Sequence, residues 1–199
     1  MEESQFTHTD SLRLIEQMIH TAKREQKDDG KAWILWGWLL FLASVFSWFN
    51  MRAGWLQPFF FWNVFGVLSL VLLAWGIVRR FFGGRAPVVK TYTRDLYEKL
   101  NTGFFISLML IIVSMNVGVH PRYGFALLLG LYGFWILIYG AVLNFKPSLI
   151  GAYITWAAAF VSLFATNLEH TMLLHALAVL CGYIIPGHMA NNEFNKEKR

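Results

Sequence analysis

The 199 residues are 56% hydrophobic and 17% aromatic but only 15% charged, with a formal net charge of +5 at pH 7. A soluble domain carries about 45–50% apolar and about 25% charged residues, so this balance excludes an ordinary water-soluble globule. The lone cysteine, Cys181, excludes an intramolecular disulfide.

The chain opens with a polar segment, residues 1–31, in which residues 10–29 have the pattern of an amphipathic cytosolic helix. Asp10 or Ser11 can cap its start, and Gly30 can end it. At about 100° per residue, Leu12, Leu14, Ile15, Met18, Ile19 and Ala22 share one arc. Arg13, Glu16, Gln17, Lys23, Arg24 and Lys27 lie opposite, and the segment mixes five acidic with four basic residues. Helices that bind anionic lipid are richer in Lys and Arg. Leu12, Ile15, Met18 and Ile19 are therefore candidate residues for binding a cytosolic regulatory protein. The first apolar run begins only after this segment, is too long for the h-region of a signal peptide, and is followed by no small-residue cleavage pattern.

Six runs without a charge follow, at residues 32–50, 56–78, 101–119, 123–145, 147–168 and 171–190. A run of about 18 apolar residues, rising about 1.5 Å per residue, crosses a hydrocarbon core of about 30 Å. Backbone groups there must be satisfied internally, which makes each run a helix. The predicted fold is all-α, a polytopic bundle of six transmembrane helices at residues 32–190 behind the N-terminal amphipathic helix. The spans are placed at about 32–50, 56–78, 101–119, 123–145, 148–166 and 171–188, with a cytosolic tail at 191–199.

Lysine and arginine set the orientation. Fifteen lie in the N-terminal segment, the loop between spans 2 and 3, the loop between spans 4 and 5, and the tail; only Arg52 and Arg122 lie on the other side. This is a positive-inside pattern, with both termini cytoplasmic in a cell membrane. Topology accounts for the basic charge, and no direct nucleic-acid partner is expected. The inner loop starts as the basic turn Arg79-Arg80-Phe81-Phe82-Gly83-Gly84-Arg85 and becomes helical in pattern across residues 93–100. Trp33, Trp36, Trp38 and Trp75 read as anchors at the inner interface, and Trp48 and Trp55 at the outer one.

Polar groups within spans are the default functional candidates. Asn63, Asn116, Tyr139 and His175 are candidates for lining a cavity. His120, Glu169, His170 and His175, near the outer ends, are candidates for a metal or catalytic group, although their spacing specifies no particular ion. No cofactor is expected; a haem would need a second histidine at matching depth. Ser107, Ser114 and Ser162 lack a glycine elbow or an Asp/His partner for nucleophilic catalysis. Span 5 carries the small residues Gly151, Thr155, Ala158, Ala159 and Ser162, and span 4 carries Gly130, Gly133 and Gly140. Such faces allow close helix approach, within the bundle or, through Gly151, Thr155 and Ala159, to a second copy in a homo-oligomer.

The segment Ser11-Leu-Arg-Leu-Ile-Glu-Gln-Met-Ile, with Trp33 and Leu35-Trp36-Gly37-Trp38 after it, resembles the opening of a family of uncharacterised multi-span bacterial membrane proteins. Phe145-Lys146-Pro147 and Gly182-Tyr183-Ile184-Ile185-Pro186-Gly187-His188 are similar to its later parts. Members are often encoded beside small winged-helix regulators, which implies a sensing or regulatory partnership and brings no catalytic residues. The expected function is that of a non-enzymatic membrane sensor or adaptor, surrounded by membrane lipids and acting through the cytosolic helix and inner loop. A small transporter or lipid-binding protein is the first alternative, and a membrane enzyme using the outer His/Glu residues the second.

Overall fold

In a membrane the usual logic of a helix is inverted, and the first helix shows how. Along α1 (Lys31–Ala53) the inward face carries Trp33, Gly37, Leu40, Ala43, Ser44, Ser47 and Asn50. The outward face carries Leu35, Trp38, Leu42, Phe46 and Phe49. Small and polar residues are buried against neighbours, and large apolar ones point out. Apolar side chains gain nothing by leaving lipid, so close packing and internal hydrogen bonds decide which face turns in.

The computed structural model describes residues 29–82 and 92–196. The N-terminal segment with Leu12, Ile15, Met18 and Ile19, the loop residues 83–91 and residues 197–199 lie outside the described residues. After α1 come α2 (Phe60–Phe82), α3 (Tyr92–Val117), α4 (Pro121–Val142), α5 (Lys146–Phe164) and α6 (Leu168–Val179). A π-helical turn, Leu180–Ile184, joins α6 to α7 (Ile185–Lys196). The described chain is all helix and turn, without a strand. Five helical stretches are long and apolar enough to cross a membrane: Lys31–Ala53, Leu96–Val117, Pro121–Val142, Lys146–Phe164 and Leu168–Lys196. The described apolar stretch of α2 is the shorter Phe60–Leu72. The helical pattern at residues 93–100 is part of α3, and the last helix runs on to Lys196, past the apolar residues, because nothing after Pro186 interrupts its backbone ladder.

The core is formed by α1, α4, α5 and the continuous α6–π–α7 rod. The widest interface, α4 on α5, rests on glycine. A Cβ on Gly133 would lie 2.6 Å from the Trp156 ring, and the indole Nε1 of Trp156 donates to the Gly130 carbonyl at 2.9 Å. A Cβ on Gly140 would lie 3.0 Å from both Leu149 and Ser148. Gly151, Thr155 and Ala159 of α5 turn inward. A Cβ on Gly151 would meet the Cys181 carbonyl at 2.8 Å, and Thr155 Oγ1 donates to the Gly151 carbonyl at 2.8 Å.

The π turn lies where α1, α4 and α5 converge. A Cβ on Gly182 would be 2.7 Å from both Ile136 and Thr155 Oγ1, and one on Gly37 of α1 would be 2.8 Å from Ile184. Pro186 follows directly and has no N–H to donate to the carbonyl four residues back, that of Gly182. A wider turn at this point accommodates the missing bond and the proline ring.

Two helices stand at the periphery. α3 lies along α4, and α2 lies along α1. Phe59, Trp62 and Phe65 at the start of α2 pack on the core, after which Val67, Leu70, Val71 and Trp75 are all exposed. On α3, Tyr97, Leu100, Phe104, Leu108, Ile111 and Met115 pack inward, while Ile106, Met109, Leu110 and Val113 are exposed. Soluble monomers rarely expose apolar surface on this scale, and a bilayer accommodates it. Trp33 corrects the reading of the tryptophans as interfacial anchors. It is buried, with its ring 4.1 Å from that of Tyr139 and 4.6 Å from that of Tyr183, because Gly37 and Gly187 bring α1 close to the rod. Trp38, Trp55 and Trp75 are exposed, as anchors would be.

Gly133→Ala is expected to lower stability by about 1–3 kcal/mol through overpacking against Trp156, more than the gain of about 0.5–1 kcal/mol that alanine brings to a helix. Gly66→Ala, with nothing within 4 Å of its added Cβ, should be neutral or mildly stabilising. Thermal unfolding midpoints of the two variants in detergent provide the check.

Candidate functional site

The most unusual side chain in the core is His175, on α6, which is fully buried. Its Nδ1 lies 2.9 Å from Ser44 Oγ of α1. Ser44 Oγ in turn lies 2.7 Å from the Leu40 carbonyl, one helical turn back. Two oxygens that close require a proton between them, and only the serine hydroxyl has one. Ser44 therefore donates to Leu40 and accepts from His175. This fixes the imidazole as the Nδ1–H tautomer and leaves a lone pair on Nε2. That nitrogen is buried without a hydrogen-bond partner.

Three aromatic rings surround the imidazole. Trp62 of α2 is 5.1 Å away, Tyr132 of α4 is 5.7 Å away and Phe125 of α4 is 6.1 Å away, each nearly perpendicular to it. One turn earlier on α6, Met172 is also fully buried, and its Sδ accepts from Trp62 Nε1 at 3.2 Å. Ser47 Oγ of α1 and Thr171 Oγ1 of α6 are buried without partners as well. Ser44, Ser47 and Asn50 are not among the sequence candidates; their spacing of three on one helix face is the signal that marks them.

Asn50 organises the turn after α1. Its Nδ2 donates to the Leu56 and Gln57 carbonyls at 3.1 and 3.0 Å, and its Oδ1 accepts from the Leu56 N–H at 2.8 Å. Gly54, at φ 65°, ends the helix, and its N–H returns to the Asn50 carbonyl.

The His/Glu candidates occupy separate settings at this same end of the bundle. Glu169 Oε2 accepts from Arg52 Nε at 3.4 Å, tying α6 to α1, and the Arg52 guanidinium lies 4.7 Å from the Trp48 ring centroid. An exposed pair of this kind contributes about 0–1 kcal/mol. Arg122 donates to the Ala165 carbonyl at 2.6 Å and to the Thr166 carbonyl at 3.4 Å, placing positive charge at the C-terminus of α5. His120 caps α4, its Nδ1 accepting from the Arg122 N–H at 3.3 Å. His170 lines a shallow apolar groove of about 390 Å³ between α5 and α6, with Val161, Phe164, Leu173, Leu174 and Leu177. Among the described residues no three His, Cys, Asp or Glu side chains come together as a metal site. Of the cavity candidates, Tyr139 is buried against Trp33, whereas Asn63 and Asn116 are exposed, and the Asn116 Nδ2 donates to the Ile112 carbonyl of its own helix.

No family model, no curated protein and no solved structure matches this chain. The resemblance to uncharacterised multi-span membrane proteins therefore rests on the residues quoted for it.

Ser44→Ala would strand the His175 Nδ1–H in the core, and leaving a buried donor unpaired costs about 1–3 kcal/mol. Asn116→Ala, at an exposed site, should stay within about 0.5 kcal/mol of the parent. Chemical denaturation of both variants in the same micelle measures the difference.

Proposed function

We propose that the chain is a six-span membrane sensor or adaptor, with both termini on the cytoplasmic side, that couples to a partner through its N-terminal amphipathic helix and its basic inner loop. The observation that carries this reading is the separation of charge. Arg52 and Arg122, the two basic residues assigned to the outer side, are both engaged at one end of the bundle, with Glu169 and with the end of α5. The other fifteen lysines and arginines are assigned to the opposite side. That side also receives the amphipathic stripe of Leu12, Ile15, Met18 and Ile19, whose burial would contribute about 1.5–3 kcal/mol per side chain.

Topology is testable by single-cysteine labelling in a Cys181→Ser background. Cysteines at positions 53 and 120 should react with an impermeant reagent outside intact cells, and one at position 86 should not. Labelling of position 86 from outside would overturn the orientation.

The role of the N-terminal helix is testable by amide exchange. Ile15→Glu combined with Ile19→Glu should speed exchange across residues 10–27 while the spans remain protected. If that segment already exchanges freely in the parent, the helix is undocked and the adaptor reading loses its basis.

Lipid binding is the second reading, favoured by the groove between α5 and α6. Its apolar walls suit an acyl chain, and His170 lies where a headgroup would sit.

A further inference from the structure

The buried imidazole is presented in the way a protein presents a metal ligand. Histidines that bind metal donate their second ring N–H to an oxygen that fixes ring and tautomer. Here Ser44 Oγ takes that proton, and Ser44 is itself anchored on the Leu40 carbonyl. The Nε2 lone pair that remains has no partner in a fully buried position. An unsatisfied acceptor in a membrane interior is costly, and its persistence calls for a ligand.

The neighbouring chemistry selects the kind of ligand. Met172 precedes His175 by three residues, which puts thioether and imidazole on the same face of α6. Trp62 connects the two, with its Nε1 3.2 Å from Met172 Sδ and its ring 5.1 Å from the imidazole. Glu169, on the first turn of α6, is engaged with Arg52 at the end of the bundle. A neutral nitrogen and a neutral sulfur suit a soft monovalent ion, not Mg²⁺, Ca²⁺ or another hard cation that requires oxygen ligands. The rings of Trp62, Tyr132 and Phe125 supply π-density that offsets a single positive charge.

We propose that His175 Nε2 and Met172 Sδ form a binding site for a soft monovalent metal ion, Cu(I) in the cell, covered by the indole of Trp62. The ion is bound and released without a change in oxidation state. Trp62, packed on the core with Phe59 and Phe65, covers the site, and α2 leaves the core only beyond it, where Val67, Leu70 and Val71 are exposed. Access is from the end of the bundle that carries Arg52 and Glu169.

Ag(I), a redox-inert stand-in for Cu(I), tests the site by titration calorimetry and tryptophan fluorescence on the full chain in detergent without chloride. The Cys181→Ser background removes the one thiol that would compete. One ion per chain is expected, with quenching of tryptophan emission that is largely lost in Trp62→Phe. Met172→Leu, which conserves volume, and His175→Gln should each weaken binding by about tenfold or more. If His175→Gln does not fold, Met172→Leu and Trp62→Phe decide the matter alone. Absence of binding, or binding unaffected by Met172→Leu, would overturn the proposal, as would binding that disappears with Cys181.

Discussion

The structure depends on the close approach of four helices at the π turn, Leu180–Ile184. Gly182 is in contact range of α4 through Ile136 and of α5 through Thr155, while Gly37 of α1 lies against Tyr183 and Ile184. No residue larger than glycine fits at Gly182 without moving a neighbour. Interfaces in lipid lack a hydrophobic driving force, so stability rests on backbones that come near enough for dispersion contacts and shared hydrogen bonds. Thr155 illustrates both, since its hydroxyl donates to the Gly151 carbonyl at 2.8 Å and lies 3.5 Å from the Ala178 carbonyl. The π turn also sets the phase of the rod. It lets α6 direct Met172, His175 and Val179 inward while Tyr183 within the turn and Gly187 beyond it remain against α1.

From this convergence the polar interior follows. Once α1 and α6 lie close together, Ser44 and His175 are within hydrogen-bond distance, and each limits what the other can do. Ser44 can donate only once, and it donates to Leu40. The histidine must then donate in its turn, and an open acceptor is left buried on a ring that Trp62, Tyr132 and Phe125 surround. The chemistry of the site thus follows from backbone packing at the π turn, beyond the histidine along the same rod.

The all-helical, multi-span character was legible in the sequence, because uncharged apolar runs are a one-dimensional signal. The small-residue face of span 5 was legible too, and Gly151, Thr155 and Ala159 do turn inward. The site was only half legible. His175 stood out as a polar residue within a span, but its partner Ser44 is 131 residues earlier, and which face of α1 turns inward is a tertiary fact. Asn63 and Asn116 looked equal to His175 in sequence, yet both are exposed, because a polar residue within an apolar run carries no label for the face it occupies. Trp33 was read as an anchor for the same reason. Glu169 was grouped with histidines, whereas the ion that meets it belongs to Arg52, 117 residues away.

Rigid core and loosely attached flanks have separate roles in this account. The core holds the buried histidine, and the flanking α2 supplies the indole that covers it and leads on to the basic inner loop.

The measurement that bears most directly on the central claim is amide hydrogen exchange on Gly182→Ala. If the π turn holds α1, α4 and α5 together, the added methyl should speed exchange jointly across residues 37–47, 132–140, 148–159 and 172–184. A change confined to residues 180–186 would contradict the account, because the four helices would then be held together by something other than their approach at Gly182.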